Sequence, residues 1–87
     1  MTEKEQIIKV YNRIKNMPHS KEHINILYGL IQRADIIKDH YLQKYLRWMY
    51  ASELMECGDQ GKVFPVVAEY IALREEEEEW VPPGGID

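Results

Sequence analysis

The chain has 87 residues, of which 45% are hydrophobic and 30% are charged, and its formal net charge is −4. These totals are typical of one small globular domain and exclude both a second core and a largely disordered chain. A single cysteine, Cys57, excludes an intramolecular disulfide and favours a reducing compartment, so we expect a cytoplasmic protein. No apolar run approaches the ~18 residues that span a bilayer, and no membrane association is expected.

Charge is distributed unevenly along the chain. Residues 1–57 carry a net charge of +2, whereas residues 58–87 carry −6. Phosphate binding needs clustered Lys and Arg, so the C-terminal part is disfavoured as a nucleic-acid surface. The acidic end would instead favour a basic partner.

The first predicted helix runs from Glu3 to Asn16. Thr2 and Glu5 have the spacing of a capping box, in which each side chain accepts a hydrogen bond from the other residue's backbone N–H. Met17-Pro18 ends the helix, because proline restricts the residue before it. The predicted inner residues are Ile7, Val10 or Tyr11, and Ile14. The predicted outer, basic residues are Lys4, Lys9, Arg13 and Lys15.

A second helix is predicted from Lys21 to about Arg33, with Ser20 as its N-cap. Gly29 lies in its interior, where glycine costs about 1 kcal/mol relative to alanine. It either marks a close helix crossing or is simply tolerated. The apolar residues at helical spacing are Ile24, Leu27, Tyr28 and Ile31.

A third helix is predicted in the middle of the chain, and we call it the central helix. It ends at Cys57-Gly58, but its start is ambiguous. Asp35 either caps it or lies on the outside of one helix from Lys21 to Cys57. We favour a short break near Ala34 and Asp35, since a helix of about 37 residues would far exceed the usual ~11 to 12.

Aromatic side chains make the central helix apolar on several sides, and we expect some of this surface to meet another chain. Tyr45, Trp48 and Tyr50 are the predicted partner-binding residues, and a homodimer is the simplest outcome. The alternative is that the aliphatic stems of Lys44 and Arg47 cover this surface while their charged ends reach water.

The last predicted helix opens at Phe64-Pro65 and runs into Glu75–Glu79. Five consecutive carboxylates at a helix C-terminus oppose the helix dipole, so we expect fraying there. The remaining residues, 80–87, contain Pro82, Pro83 and two glycines and predict an irregular tail. Residues 1–74 are therefore predicted to form a helical bundle and residues 75–87 an acidic arm. The side chains of this last helix that we expect to be buried are Val66, Val67, Tyr70, Ile71 and Leu73.

The acidic arm has two interpretations. An aromatic anchor, Trp80, beside the carboxylates of Glu75, Glu76, Glu77, Glu78 and Glu79 suits a basic groove on a partner protein. The alternative is a solubilising, disordered end.

His19, Glu22 and His23 form the string H-x-x-E-H, which in inverted zinc peptidases supplies two zinc ligands and a water-activating carboxylate. Those enzymes also need a third ligand and a substrate cleft, for which a small domain has little room. A non-catalytic metal site that also uses His40 is a second reading. We expect neither a metal nor a cofactor, and we expect Cys57 to be a buried or half-buried structural residue.

The sequence thus predicts an all-α fold, a small compact bundle of about four helices with an acidic, irregular C-terminal tail. Its predicted function is that of a non-enzymatic regulatory protein, an inhibitor, adaptor or immunity-like protein of bacterial or phage scale, that binds another protein. The alternative is a nucleic-acid-binding module that uses the basic faces of the first two helices. Its candidate residues are Lys4, Lys9, Arg13, Lys15, Lys21 and Arg33.

Overall fold

The computed structural model describes residues 1–75, which form four α-helices and one short 3-10 turn. No strand occurs in this range, so the predicted all-α bundle is confirmed. None of its helices combines the length and apolar character needed to cross a bilayer. The elements are α1 (Glu3–Ile14), α2 (Lys21–Ile37), α3 (His40–Glu56), the 3-10 turn (Gln60–Lys62) and α4 (Val63–Glu75).

The predicted capping box starts α1. The Glu5 N–H donates to Thr2 Oγ1 at 3.1 Å, and the Thr2 N–H donates to Glu5 Oε1 at 2.9 Å. The helix ends at Ile14, two residues before the predicted Asn16. Its buried residues are Ile7, Tyr11 and Ile14, and its exposed basic residues are Lys4, Lys9, Arg13 and Lys15, both as predicted.

The break between α2 and α3 exists but lies about four residues later than predicted. Lys38 takes the left-handed conformation, with φ 55°, and ends α2. Asp39 then caps α3, because its Oδ1 accepts from the Leu42 N–H at 3.0 Å. The alternative prediction of a single helix from Lys21 to Cys57 is therefore wrong. The predicted position of the break, near Ala34 and Asp35, is also wrong.

Helix α2 continues past Asp35, because the helical conformation there places Ala34 and Asp35 in contact with the rest of the chain. Ala34 is completely buried in the core. Asp35 points to α3, where its carboxylate accepts from Gln43 Nε2 at 2.9 Å and from Arg47. Gly29 marks no close helix crossing, since a Cβ built on it would meet nothing within 4 Å.

Two groups of buried side chains form the core, and α3 contributes to both. The larger group joins α1, α2 and α3 around Ile7, Leu27 and Leu46. The smaller one joins α2, α3 and α4 through Ile24, Leu54 and Val66. Helix α3 packs against both α2 and α4, whereas α1 packs against α2. Helices α2 and α3 therefore both contribute to the two groups, and α3 makes the main contact with α4.

Lys44 and Arg47 of the central helix are buried, whereas the alternative prediction had their charged ends reach water. Lys44 is 0% exposed and Arg47 8% exposed. The Arg47 guanidinium donates to both oxygens of Asp35, at 2.8 and 2.9 Å, and to Glu69 at 3.0 Å. These bonds hold the pKa of Asp35 below its usual range. Arg47 thereby ties α3 to α2 and α4.

Candidate functional site

Helix α4 presents apolar side chains on two sides. Val66 and Tyr70 are buried against the rest of the chain, whereas Phe64 is 82% exposed and Ile71 47% exposed. Phe64, Val67 and Ile71 follow one another at spacings of three and four, so they lie on one face of the helix. A helix that is apolar all round is normally covered all round. Within residues 1–75, nothing covers this outer side of α4.

A groove between α3 and α4 lies beside these residues and has a volume of about 290 Å³. The rings of Trp48 and Tyr70 line it with their centroids 5.4 Å apart. Met55, which is 51% exposed, borders both this groove and a second depression around Phe64. We call the surface formed by Met55, Phe64, Val67 and Ile71 the outer α4 face.

The polar residues of the groove offer little charge that could bind a ligand. Arg47 and Ser52 line it, and the Arg47 guanidinium is already bonded to Asp35 and Glu69. Among residues 1–75, Gln60 is the one polar residue that lines the depression around Phe64. The outer α4 face is therefore suited to an apolar partner surface and not to a charged small molecule.

The three aromatic residues predicted to bind a partner all pack within the chain. Tyr45 lies against Tyr11, with ring centroids 5.2 Å apart, and its hydroxyl bonds to the Tyr11 hydroxyl at 3.1 Å. Burial and this hydrogen bond raise the pKa of Tyr11. Tyr50 packs on Tyr28, and Trp48 packs on Tyr70. Each of the three is half-buried, and of these only Trp48 lines the groove beside the outer α4 face.

The predicted acidic arm lies mostly beyond the part of the chain that the structure describes. Glu75 is the last residue of α4. Glu76, Glu77, Glu78, Glu79 and Trp80 lie outside the described residues, as does the predicted fraying of the helix end. Helix α4 thus leads directly into the acidic sequence.

The basic residues predicted for nucleic-acid binding are only partly available. Lys4 pairs with Asp39 at 3.2 Å, and Arg33 pairs with Glu3 at 2.6 Å. Each of these cations has a carboxylate neighbour that would repel a phosphate. Lys9, Arg13, Lys15 and Lys21 are exposed.

A second site forms where the start of α2 meets the last turns of α3. The Glu53 carboxylate is buried there and accepts from His19 Nδ1 at 2.9 Å and from the Ser20 N–H at 3.3 Å. His23 Nδ1 lies 3.3 Å from the other carboxylate oxygen of Glu53. The hydrogen bond from His19 raises the pKa of that imidazole, which favours a cation beside the buried carboxylate.

Cys57 lies beside this site and is exposed, so its predicted burial is wrong. Its Sγ is 3.8 Å from Glu53 Oε2. Desolvation and the Glu53 carboxylate raise the pKa of the thiol, which disfavours a nucleophilic thiolate. Glu22 of the H-x-x-E-H string is exposed and is not part of the histidine cluster, so the structure pairs the two histidines with a different carboxylate.

Comparisons of the chain with protein-family models, with curated proteins and with solved structures found no match.

Two features of these sites were missed in the sequence. From the sequence, Phe64 is assigned only to a helix start, although its spacing to Val67 and Ile71 marks a second apolar row. Glu53 was not singled out at all. Glu53 could have been found from its position, because it is a carboxylate in an apolar stretch of the central helix. A charge in such a stretch needs a partner if it is buried.

Proposed function

We propose that the protein is a non-enzymatic, cytoplasmic interaction protein that works by binding another protein chain through the outer α4 face. The observation that carries this proposal is Phe64, which is 82% exposed beside a groove of about 290 Å³ lined by apolar side chains. Exposed apolar surface of this kind is usually covered by a partner. A regulator, inhibitor or adaptor needs such a surface and no catalytic group.

The occupant we propose for this face is a second copy of the chain. Phe64, Val67 and Ile71 have the alternating three and four spacing of a coiled-coil seam, so two copies of α4 can pack seam to seam about a two-fold axis. In the antiparallel arrangement Phe64 of one copy approaches Ile71 of the other. The protruding ring then fills the groove beside Ile71.

Charge favours the same antiparallel arrangement. Lys62 lies at the N-terminal end of α4, where the helix dipole is positive. At the other end the sequence becomes acidic, from Glu75 to Glu79. Because Lys62 pairs with Asp59 at 3.3 Å, the positive charge at this end comes mainly from the helix dipole. Antiparallel pairing brings the acidic end of each copy toward that positive end of the other, whereas parallel pairing would bring the acidic ends together.

Solution mass tests the proposal. Light scattering across a concentration series should give a dimer for the full chain and a monomer for Phe64→Glu, since the variant places a charge in the seam. Ile36→Glu is the matched control, because Ile36 is 80% exposed on α2 and should leave the dimer intact. Far-UV circular dichroism should be unchanged in both variants.

Two outcomes would contradict the second copy as occupant. One is a full chain that remains a monomer up to about 1 mM. A dimer with a dissociation constant of that size has a binding free energy of only ~4 kcal/mol. The other is a Phe64→Glu chain with the mass of the full chain.

The acidic arm belongs to the same proposal as a contact for a basic partner. A chain that ends at Arg74 separates its role from that of the outer α4 face. If this shorter chain remains a dimer, Glu75–Glu79 and Trp80 are available to a separate basic protein. If it is a monomer, the arm itself contributes to the contact between copies.

A further inference from the structure

Three side chains with metal-binding atoms converge at the junction of α2 and α3. His19 precedes the α2 N-cap, His23 lies in the first turn of α2, and Glu53 lies near the end of α3. One ligand atom from each residue lies within 4.8 Å of the other two. Two imidazoles and a carboxylate are a common set of zinc ligands, whereas Mg²⁺ and Ca²⁺ prefer oxygen alone.

The distances between these atoms suit one tetrahedral ion. Zinc bonds of about 2.0 to 2.1 Å at tetrahedral angles place neighbouring donor atoms about 3.3 Å apart. Glu53 Oε2 lies 3.3 Å from His23 Nδ1 and 3.0 Å from His19 Nδ1, so one carboxylate oxygen is near both nitrogens. Only the two histidines must approach each other, and the His19 side chain, 58% exposed, has room to move.

His23 supplies an independent indication of a ligand. Its side chain is only 7% exposed, yet its Nδ1 makes no hydrogen bond, although it lies 3.3 Å from the Glu53 carboxylate. A buried polar atom without a hydrogen bond is costly and rare. A metal ion between His23 and Glu53 would satisfy this nitrogen and the carboxylate oxygen together.

We propose that His19, His23 and Glu53 bind one Zn²⁺ ion, with water at the fourth position. Cys57 lies outside the three-ligand group, although its Sγ is 3.8 Å from Glu53 Oε2. Binding displaces the proton that His19 shares with Glu53, so affinity falls at acid pH. The site uses neither the outer α4 face nor the acidic arm and is independent of the function proposed above.

We assign the ion a structural role, although three protein ligands and a water are also the ligand set of catalytic zinc. The cavity that all three ligands line has a volume of about 110 Å³, well below the ~300 to 1,000 Å³ of pockets that hold organic substrates. A wider cavity of about 760 Å³ begins at His19, but neither His23 nor Glu53 lines it. The ion would fasten the connection between α1 and α2 to the end of α3. It would replace the hydrogen bond between His19 and Glu53 with three bonds to one centre.

Metal titration of the full-length chain, purified without a histidine tag and freed of metal by a chelator, tests the proposal. Calorimetry should give one Zn²⁺ per chain, and Co²⁺ should give the intense visible absorption of a tetrahedral site. His19→Ala should weaken Zn²⁺ binding by more than about 100-fold, since even outer contacts of metal sites are worth ten- to 100-fold. The thermal midpoint should rise with Zn²⁺ and not with Mg²⁺.

The decisive control is Glu22→Gln. It alters the carboxylate of the H-x-x-E-H string but none of the three proposed ligands, so its Zn²⁺ affinity should equal that of the unaltered chain. His19 is the first residue to replace, because it is exposed and lies outside both α1 and α2. The proposal is overturned if the unaltered chain binds no stoichiometric Zn²⁺, if His19→Ala binds equally tightly, or if Glu22→Gln loses as much affinity as His19→Ala.

Discussion

Arg47 shows how a cation is kept inside a small helical core. Its guanidinium lies between Asp35 on α2 and Glu69 on α4, and the Asp35 bonds are bidentate. Two charge-assisted hydrogen bonds in one plane orient the arginine and offset its loss of hydration. A buried cation held in this way links three helices through one side chain.

The pairing of Asp35 with Arg47 predicts a pH-dependent stability. Because the pKa of Asp35 is lowered in the folded chain, its contribution is present at neutral pH and is lost as pH falls through that lowered pKa. Asp35→Asn should reduce the free energy of unfolding at pH 7 by about 1 kcal/mol, the low end for a charged hydrogen bond, because the side chain is 39% exposed. Urea unfolding at several pH values measures it.

The difference between the two chains should shrink as pH falls below the ordinary aspartate pKa of about 3.9, and vanish only where the aspartate is protonated in the folded chain as well. A difference that stays constant from pH 7 to pH 2 would show that the ion pair is not its source.

At the scale of single helices, sequence reasoning succeeded where the signal is local. Thr2 and Glu5 gave the start of α1 because both halves of the capping box lie within four residues. The start of α3 was misplaced because Asp35 and Asp39 are equally good caps in sequence. The choice between them depends on the contact of Asp35 with Arg47. These two residues are 12 positions apart, so no local pattern reveals their contact.

The same limit applies to the two sites. The apolar row of α4 could be read from its spacing, but which of its two sides faces the core depends on where α3 lies. Glu53 and His19 are 34 residues apart, so their contact follows from the packing of α2 on α3. The sequence could therefore name the two histidines but not the carboxylate that joins them.

Helix α2 carries an avoidable cost at Gly29. A Cβ added there would meet nothing within 4 Å. Gly29→Ala should therefore raise the free energy of unfolding by about 0.5 to 1 kcal/mol, through helix propensity and a less flexible unfolded chain. Thermal or urea unfolding followed by circular dichroism measures the change.

Gly58 is the matched control for this substitution. Its surroundings are equally open, but its φ of +78° is one that alanine adopts only with strain. Gly58→Ala should lower stability by about 1 kcal/mol. Equal effects of the two substitutions would mean that backbone conformation does not decide the outcome.

At the scale of the whole molecule, α3 makes the two core groups one cooperative unit. Leu54 is completely buried in the smaller group. Leu54→Ala should cost about 2 to 5 kcal/mol, a large part of the ~5 to 15 kcal/mol that stabilises a typical domain. The loss should appear as an earlier single transition and not as separate melting of α4.

In a chain that ends at Arg74, Trp48 is the only tryptophan, so its fluorescence reports on the contact between α3 and α4. Its unfolding curve should coincide with that from circular dichroism, with and without Leu54→Ala. Ile36→Ala, at a site 80% exposed, should change stability by less than about 0.5 kcal/mol. Two separated curves would mean that α4 unfolds on its own.

The division of the core into two groups also sets an order of events during synthesis. The buried residues of the larger group end at Leu46, so this group can close while the C-terminal part of the chain is still inside the ribosome. The smaller group must wait for Val66. Until α4 emerges, Ile24 and Leu54 lack the side chain of Val66 that covers them in the folded chain, and they form an apolar surface that a chaperone can bind.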